Sequence, residues 1–202
     1  MNEDEARDWI RERFGAEAVA RLTAYTELLL AEAERQSLIA RSTFDLLWSR
    51  HIVDSAQLVL LAPVDGRWID VGSGGGLPGI VVALLRSAPT LLVEPRRKRA
   101  EFLAQAIAAL RLHNCAVAYS TVQKVGEGAK VISARAVASP DLLFDWSAHL
   151  VSRETVYLLP RGAHAAVDLD IIDRAWQGRF HVEQSLTDPN SGIIVARDVA
   201  RR

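Results

Sequence analysis

The stretch Ile69-Asp-Val-Gly-Ser-Gly-Gly-Gly-Leu-Pro-Gly79 holds five glycines and grows out of a short apolar run, Trp68 to Val71. Glycines at the end of a strand let the backbone turn sharply and come close to a ligand, and Pro78 suits the first turn of a following helix. Gly74, Gly76 and Gly79 match G-x-G-x-x-G, and Glu94 stands about 20 residues on, a pattern that also marks dinucleotide sites. Asp70 separates the readings. It lies just ahead of Gly72, near where a bound pyrophosphate would sit, and like charges at about 4 Å cost roughly 4 kcal/mol at a partly buried site. A carboxylate there suits a cationic ligand, or an adenosine cofactor without phosphates. S-adenosylmethionine is both, and Glu94 is expected to accept hydrogen bonds from its ribose hydroxyls.

Charged residues elsewhere suggest a second kind of contact. Pro95-Arg-Arg-Lys-Arg99 puts four cations directly after the second apolar run. Cations at a helix N-terminus oppose its dipole, which favours a phosphate-binding role for Arg96, Arg97 and Lys98. Arg41, Arg50 and Arg161 extend the patch, and Arg135, after another apolar run, is a fixed cation for a carboxylate or a phosphate. His51 and Asp54 are spaced to share one helical face, where the histidine can position its helix over a crevice or meet a substrate. The five histidines lack metal-ligand spacing, so no metal is expected.

The elements that must position these residues follow from the pattern. Apolar residues at spacings of three and four mark helices over the first sixty positions, with Gly15 separating two stretches. Ser42-Thr-Phe-Asp45 reads as a capping box opening a third helix through Trp48, His51, Ile52 and Leu58, closed by Pro63. From Arg67 the texture alternates. Strands are expected at 68–71, 90–93, 116–119, 131–133 and 155–159, and helices at 79–85, 98–112, 141–150 and 163–176. Residues 180–182 and 192–196 form a closing antiparallel pair. Repeated strand–helix units imply a mainly parallel, doubly wound α/β sheet. Residues 1–64 are expected to be a helical cap packed on a Rossmann-like core of 65–202.

Composition sets the outer bounds. A chain of 202 residues, 50% hydrophobic, suits one domain with an appendage and buries roughly 70% of its unfolded surface. Lys and Arg number 24 against 25 Asp and Glu, a net charge of -1, which argues against a protein that coats nucleic acid. The single Cys115 offers no internal disulfide, which suits a reducing compartment. The acidic start Met1-Asn-Glu-Asp-Glu5 is unlike a signal peptide, and runs such as Ile80 to Leu85 are too short to cross a membrane. The expectation is a soluble, cytoplasmic monomer.

Three segments in order carry a resemblance: Trp48-Ser-Arg-His-Ile-Val-Asp-Ser55, Asp70-Val-Gly-Ser-Gly-Gly-Gly-Leu-Pro-Gly79 and Val131-Ile-Ser-Ala-Arg-Ala-Val-Ala-Ser139. The second is similar to the first motif of class I methyltransferases. Together the three resemble the bacterial small-subunit ribosomal RNA guanine-N7 methyltransferases, also called glucose-inhibited division protein B, from about Leu38 to Gly162. The resemblance implies a class I fold with an antiparallel last strand. It implies methyl transfer from S-adenosylmethionine to N7 of a guanine, position 527 of 16S RNA, on the RNA or the small ribosomal subunit. It places cofactor contacts at Gly72 and Leu77, with Ser73, Gly74 and Gly76 in the same loop, and at Val122, Gln123 and Arg135. Gln123 stands where the family often has an acid, although an amide can also bond an adenine amino group. A small-molecule methyltransferase with the same cofactor site is the alternative.

Overall fold

The computed structural model describes residues 1–202. Helix α1 spans Glu3–Ala33, with Gly15 in a non-helical conformation (φ 89°, ψ 168°) that bends it where the two apolar stripes part. Its N-terminus carries a true capping box. Asn2 accepts from the Glu5 backbone N–H at 2.9 Å while the Glu5 carboxylate accepts from Asn2 N–H at 2.8 Å. The box expected at Ser42–Asp45 is not formed. Arg41–Leu46 is a 3-10 turn without a side-chain cap, and Trp48–Val53 is a π-helical turn leading into α2, Asp54–Leu61. The exposed N–H groups of Trp48 and Ser49 are satisfied from a distance instead, each donating at 2.8 Å to an oxygen of the Glu3 carboxylate. The reason is geometric: a π turn has i→i+5 pairing, so the local Ser/Thr-to-third-residue cap has no matching donor.

The remaining elements alternate: β1 Trp68–Val71, α3 Gly79–Leu85, β2 Thr90–Val93, α4 Arg97–Ala109, β3 Cys115–Ala118, β4 Val131–Ala134, α5 Pro140–Ser147, β5 Val156–Gly162, α6 Ala165–Ala175, β6 Trp176–Gln184 and β7 Gly192–Arg201. They form one seven-stranded sheet in the order β3-β2-β1-β4-β5-β7-β6. Pairing is parallel from β3 to β5, and β7 runs antiparallel to both β5 and β6. The order reverses at β1, which lies between β2 and β4, so the carboxyl ends of these three strands face a crevice.

Packing on one face joins α1 to the sheet through Ile10, Leu22, Tyr25 and Leu29, which share a cluster with Ile80 and Val81 of α3 and Leu103 of α4. On the other face Leu143, Phe144 and Ile172 pack over Ile69, Ile132 and Tyr157. Trp176 opens β6 rather than closing a helix. Its ring meets Phe144 edge-on at 5.3 Å and its indole N–H donates to Asp141 at 2.7 Å. The last two strands are longer than their apolar cores suggested, because β6 and β7 extend each other as a hairpin whose outer half is exposed.

Candidate active site

The loop from β1 to α3 is built by its own backbone. Gly72 N–H and Ser73 N–H both donate to Val93 O, at 2.7 and 3.2 Å, and Gly76 N–H donates to Ser73 O at 2.7 Å. Gly72 has φ +67°, and a Cβ there would sit 2.5 Å from Val137, so the chain passes where only glycine fits. Glu94, 2% exposed, braces the same loop: Oε2 accepts from Gly74 N–H and Oε1 from Arg96 N–H, both at 2.8 Å. A cleft of about 450 Å³ opens beside it, lined by Gly72, Glu94, Arg96, Arg99, Val122, Gln123, Val137 and Trp146, among others.

Several residues expected at this cleft are placed elsewhere. Asp70 is fully buried, with Oδ1 accepting from Ser133 Oγ at 2.6 Å and Oδ2 from Gly79 N–H at 3.1 Å. The expectation that it faces a cationic ligand is therefore corrected: its charge holds α3 to the sheet. Burial pushes its pKa up to about 6, against the lowering effects of the bonds from Ser133, Ser73 and Gly79 and of nearby Arg135. Ser73 turns inward, its hydroxyl donating to Asp70 O at 2.9 Å. Leu77 belongs to the core shared with α1, and Gly76 lies under the Tyr25 hydroxyl, which donates to Gly75 O at 2.8 Å.

Arg135 borders a second cavity of about 340 Å³, which meets the first at Ala136 and is also lined by Arg50, Asp54, Arg161, Ser185 and Ser191. Arg50 is paired with Asp188 at 3.0 Å, and Arg161 with Asp168 at 2.6 Å while also donating to Ala138 O at 2.8 Å. Arg135 Nη1 donates to His51 Nδ1 at 3.2 Å. A guanidinium only donates, so Nδ1 must accept, which places the imidazole proton on Nε2. Nε2–H then donates to Thr43 Oγ1 at 2.8 Å, and Thr43 passes its own proton to Ala40 O at 2.7 Å. The π turn and the 3-10 turn are tied together by this relay. Of the other basic residues, Arg41 is exposed 3.6 Å from Glu34, Arg97 pairs with Glu101 at 2.8 Å, and Lys98 is exposed; none of the three borders either cavity.

Two buried groups give opposite pH dependences. His51 is pushed down to about 3 by burial, then by Arg135 and Arg50. The unfolded chain takes up its proton near pH 6.5, so the stability from neutral His51 is complete above that and is lost as pH falls toward 3. Asp70 runs the other way, with stability complete below the unfolded value of 3.8 and lost as pH rises through about 6. Each unit is worth about 1.4 kcal/mol, so the two largely offset each other between these limits. His51→Gln is expected to raise stability at pH 5 relative to pH 7, and Asp70→Asn to do the reverse. Urea unfolding at both pH values checks this; parallel changes in the two variants would disprove it.

A sheet of this order with a glycine loop at its switch point is the class I architecture of S-adenosylmethionine-dependent methyltransferases. In agreement with it, the chain is similar in fold to a variant of MtNAS solved with S-adenosylmethionine (TM-score 0.61, 15% identity, 98% of this chain and 84% of that one). It is likewise similar to M. jannaschii TYW2 solved with AdoMet (TM-score 0.58, 11% identity, 84% and 80%). The family model for GidB, rRNA small subunit methyltransferase G, matches residues 18–192. Relatives named ribosomal RNA small subunit methyltransferase G include those of Sphingopyxis alaskensis, 45% identical over 96% of this chain and 85% of theirs, and Erythrobacter litoralis, 42% identical over 98% of each. The chain belongs to the rRNA small subunit methyltransferase G family.

Proposed function

We propose that the protein transfers a methyl group from S-adenosylmethionine to N7 of a guanine in 16S ribosomal RNA. The observation that carries the reading is the junction at Ala136, where a mixed apolar and polar cleft meets a cavity rimmed by arginines. The first cleft fits the cofactor. Its volume is in the range of small-molecule sites, and Val71, Val93, Val122, Val137 and Trp146 offer an apolar lining. The Glu94 carboxylate has about four acceptor sites, of which Gly74 and Arg96 use two, leaving two for a pair of ribose hydroxyls. Gln123 lies exposed on the rim, where an amide can bond the adenine edge.

When bound, S-adenosylmethionine supplies a methyl group on a positive sulfur: the N7 lone pair forms the new C–N bond while the S–C electron pair stays on sulfur, and the purine becomes cationic. No proton has to leave N7, so the protein needs no general base, and neutral His51 is free to act as a positioning residue. The chain's task is orientation: the cleft holds one reactant and the neighbouring cavity the other, across a single shared residue. Arg50, Arg96 and Arg161 at the rims suit RNA phosphates.

No helix is long and apolar enough to cross a membrane. We take the protein to act in the cytoplasm as a monomer, with residues 1–64 as a cap carrying the π turn to the site and 65–202 as the core. The test is incubation of the protein and labelled S-adenosylmethionine with 16S RNA from cells lacking this methylation. Labelled N7-methylguanine in the digested RNA is expected, with RNA binding that weakens steeply as salt rises while cofactor binding does not. Digests without that nucleoside would overturn the reading.

A further inference from the structure

Asp54 is the one acidic residue lining the arginine-rimmed cavity, and its two oxygens have different surroundings. Oδ1 accepts from three donors: Gln57 Nε2 at 2.9 Å, Thr187 Oγ1 at 2.8 Å and Ser185 Oγ at 3.1 Å. Oδ2 bonds to nothing in the protein and is not enclosed. Three donors from two parts of the chain therefore fix the carboxylate and present its second oxygen to the cavity. The cations nearby do not take it up: Arg50 pairs with Asp188, Arg161 with Asp168, and Arg135 donates to His51. A phosphate would be repelled by this oxygen. A base edge rich in donors would be held.

We infer that Asp54 selects guanine as the target base, its free Oδ2 accepting from the N1–H and N2–H2 edge of the purine. The inference rests on the proposed guanine-N7 reading and assigns the group that recognises the base. Guanine presents two adjacent donors on that edge, whereas adenine presents an N1 acceptor that a carboxylate repels. N7 lies at the other end of the purine ring system from N2. A guanine held by Asp54 in the second cavity therefore turns N7 away from Asp54, as the cofactor cleft beyond Ala136 requires. Methylation makes the purine cationic and N1–H a stronger donor, so the contact strengthens as the reaction proceeds and lowers the barrier as well as setting the base.

The variant Asp54→Asn is informative because its orientation is dictated. Gln57, Ser185 and Thr187 all donate, so the asparagine oxygen takes the Oδ1 place and its NH2 faces the cavity. The site then opposes guanine donors with a donor, and suits the N1 acceptor of adenine. The experiment compares two synthetic RNA hairpins, with guanine or adenine at the target position, by equilibrium binding in the presence of S-adenosylhomocysteine. Initial methylation rates are measured on the guanine hairpin. The parent protein is expected to bind the guanine hairpin at least tenfold more tightly. Asp54→Asn is expected to erase or reverse that preference, and to lower the guanine methylation rate at least tenfold with cofactor affinity unchanged. A Ser185→Ala, Thr187→Ala double variant, which keeps the carboxylate, is expected to retain part of the preference. Equal binding of the two hairpins by the parent protein would overturn the inference alone, as would an unchanged preference in Asp54→Asn. If the parent protein methylates neither hairpin nor 16S RNA, both this inference and the reading beneath it fall.

Discussion

Gly79→Val is expected to unfold about 3 kcal/mol more readily than the parent protein and to lose most of its affinity for S-adenosylmethionine. A Cβ at position 79 would lie 2.2 Å from Leu92 Cδ2, 2.7 Å from Asp70 Oδ2 and 3.0 Å from Asp70 Cβ. Neither neighbour can yield. Leu92 is in β2 with no exposed surface, and Asp70 is pinned between Ser133 and the Gly79 N–H. Making room means moving Asp70, which breaks the bond that anchors the start of α3 and tilts the glycine loop that ends there. For a chain of this size the loss lowers the melting temperature by about 6–12 °C. Gly126→Ala is the control, since nothing lies within 4 Å of a Cβ there. Thermal melting and cofactor titration calorimetry check the pair; a Gly79→Val protein matching the control in both would refute the account.

Arg135→Ala is expected to cut methyl transfer at least about 100-fold while leaving cofactor affinity within a few-fold, because Arg135 borders the second cavity and not the first. Burial lowers its pKa, and Asp54, Tyr25 and Asp70 act together against that fall, so one cation serves three groups from three elements. Removing it takes the donor from His51 Nδ1 and leaves Asp70 buried without a nearby positive charge. Breaking buried charge interactions of this kind costs about 3–5 kcal/mol, so the variant is expected to melt earlier but still to fold. Lysine should restore little, since an ammonium lacks the planar fork that reaches His51 while facing the cavity. Steady-state rates on 16S RNA, with calorimetry for the cofactor, separate the two effects. An unchanged rate, or a loss of cofactor affinity as large as the loss of rate, would contradict this assignment.

Much of the sheet was legible in the sequence because its signals are short and sharply bounded. Residues 68–71, 79–85 and 90–93 form the elements expected of them to the residue, since glycine, proline and polar breaks fence each apolar run. Residues 41–53 were not legible as they fold. Neither a 3-10 nor a π turn keeps the 3.6-residue period on which the reading relied, and the cap of the second turn comes from Glu3. The sequence showed a charge at Asp70 but not its direction. Alternation in β1 groups Ile69 with Val71 on the α5 and α6 face, and sends Asp70, with Trp68, toward α3. Glu94 and the Val122-Gln123 pair line the cleft, and Arg99 joins them from the same basic run as Arg96. Trp146 and Val137 line it too, and no motif marked either. Ser185, Thr187 and Asp188 lay beyond any local pattern, because their partners are in the helical segment near Asp54.

The hydrogen bonds from Ser185 to Asp54 and from Arg50 to Asp188 join residues 131 and 138 positions apart. Such distant contacts form late, after the intervening chain has been made and ordered. On a translating ribosome the cofactor loop and its strands emerge long before the hairpin that steadies Asp54 and Arg50. A nascent or prematurely terminated chain can thus hold a folded cofactor cleft while its base-recognition cavity lacks a wall. Competence toward RNA is delayed until the second half of the hairpin is in place, so synthesis itself decides when the protein can first act on an RNA of the kind that surrounds it at birth.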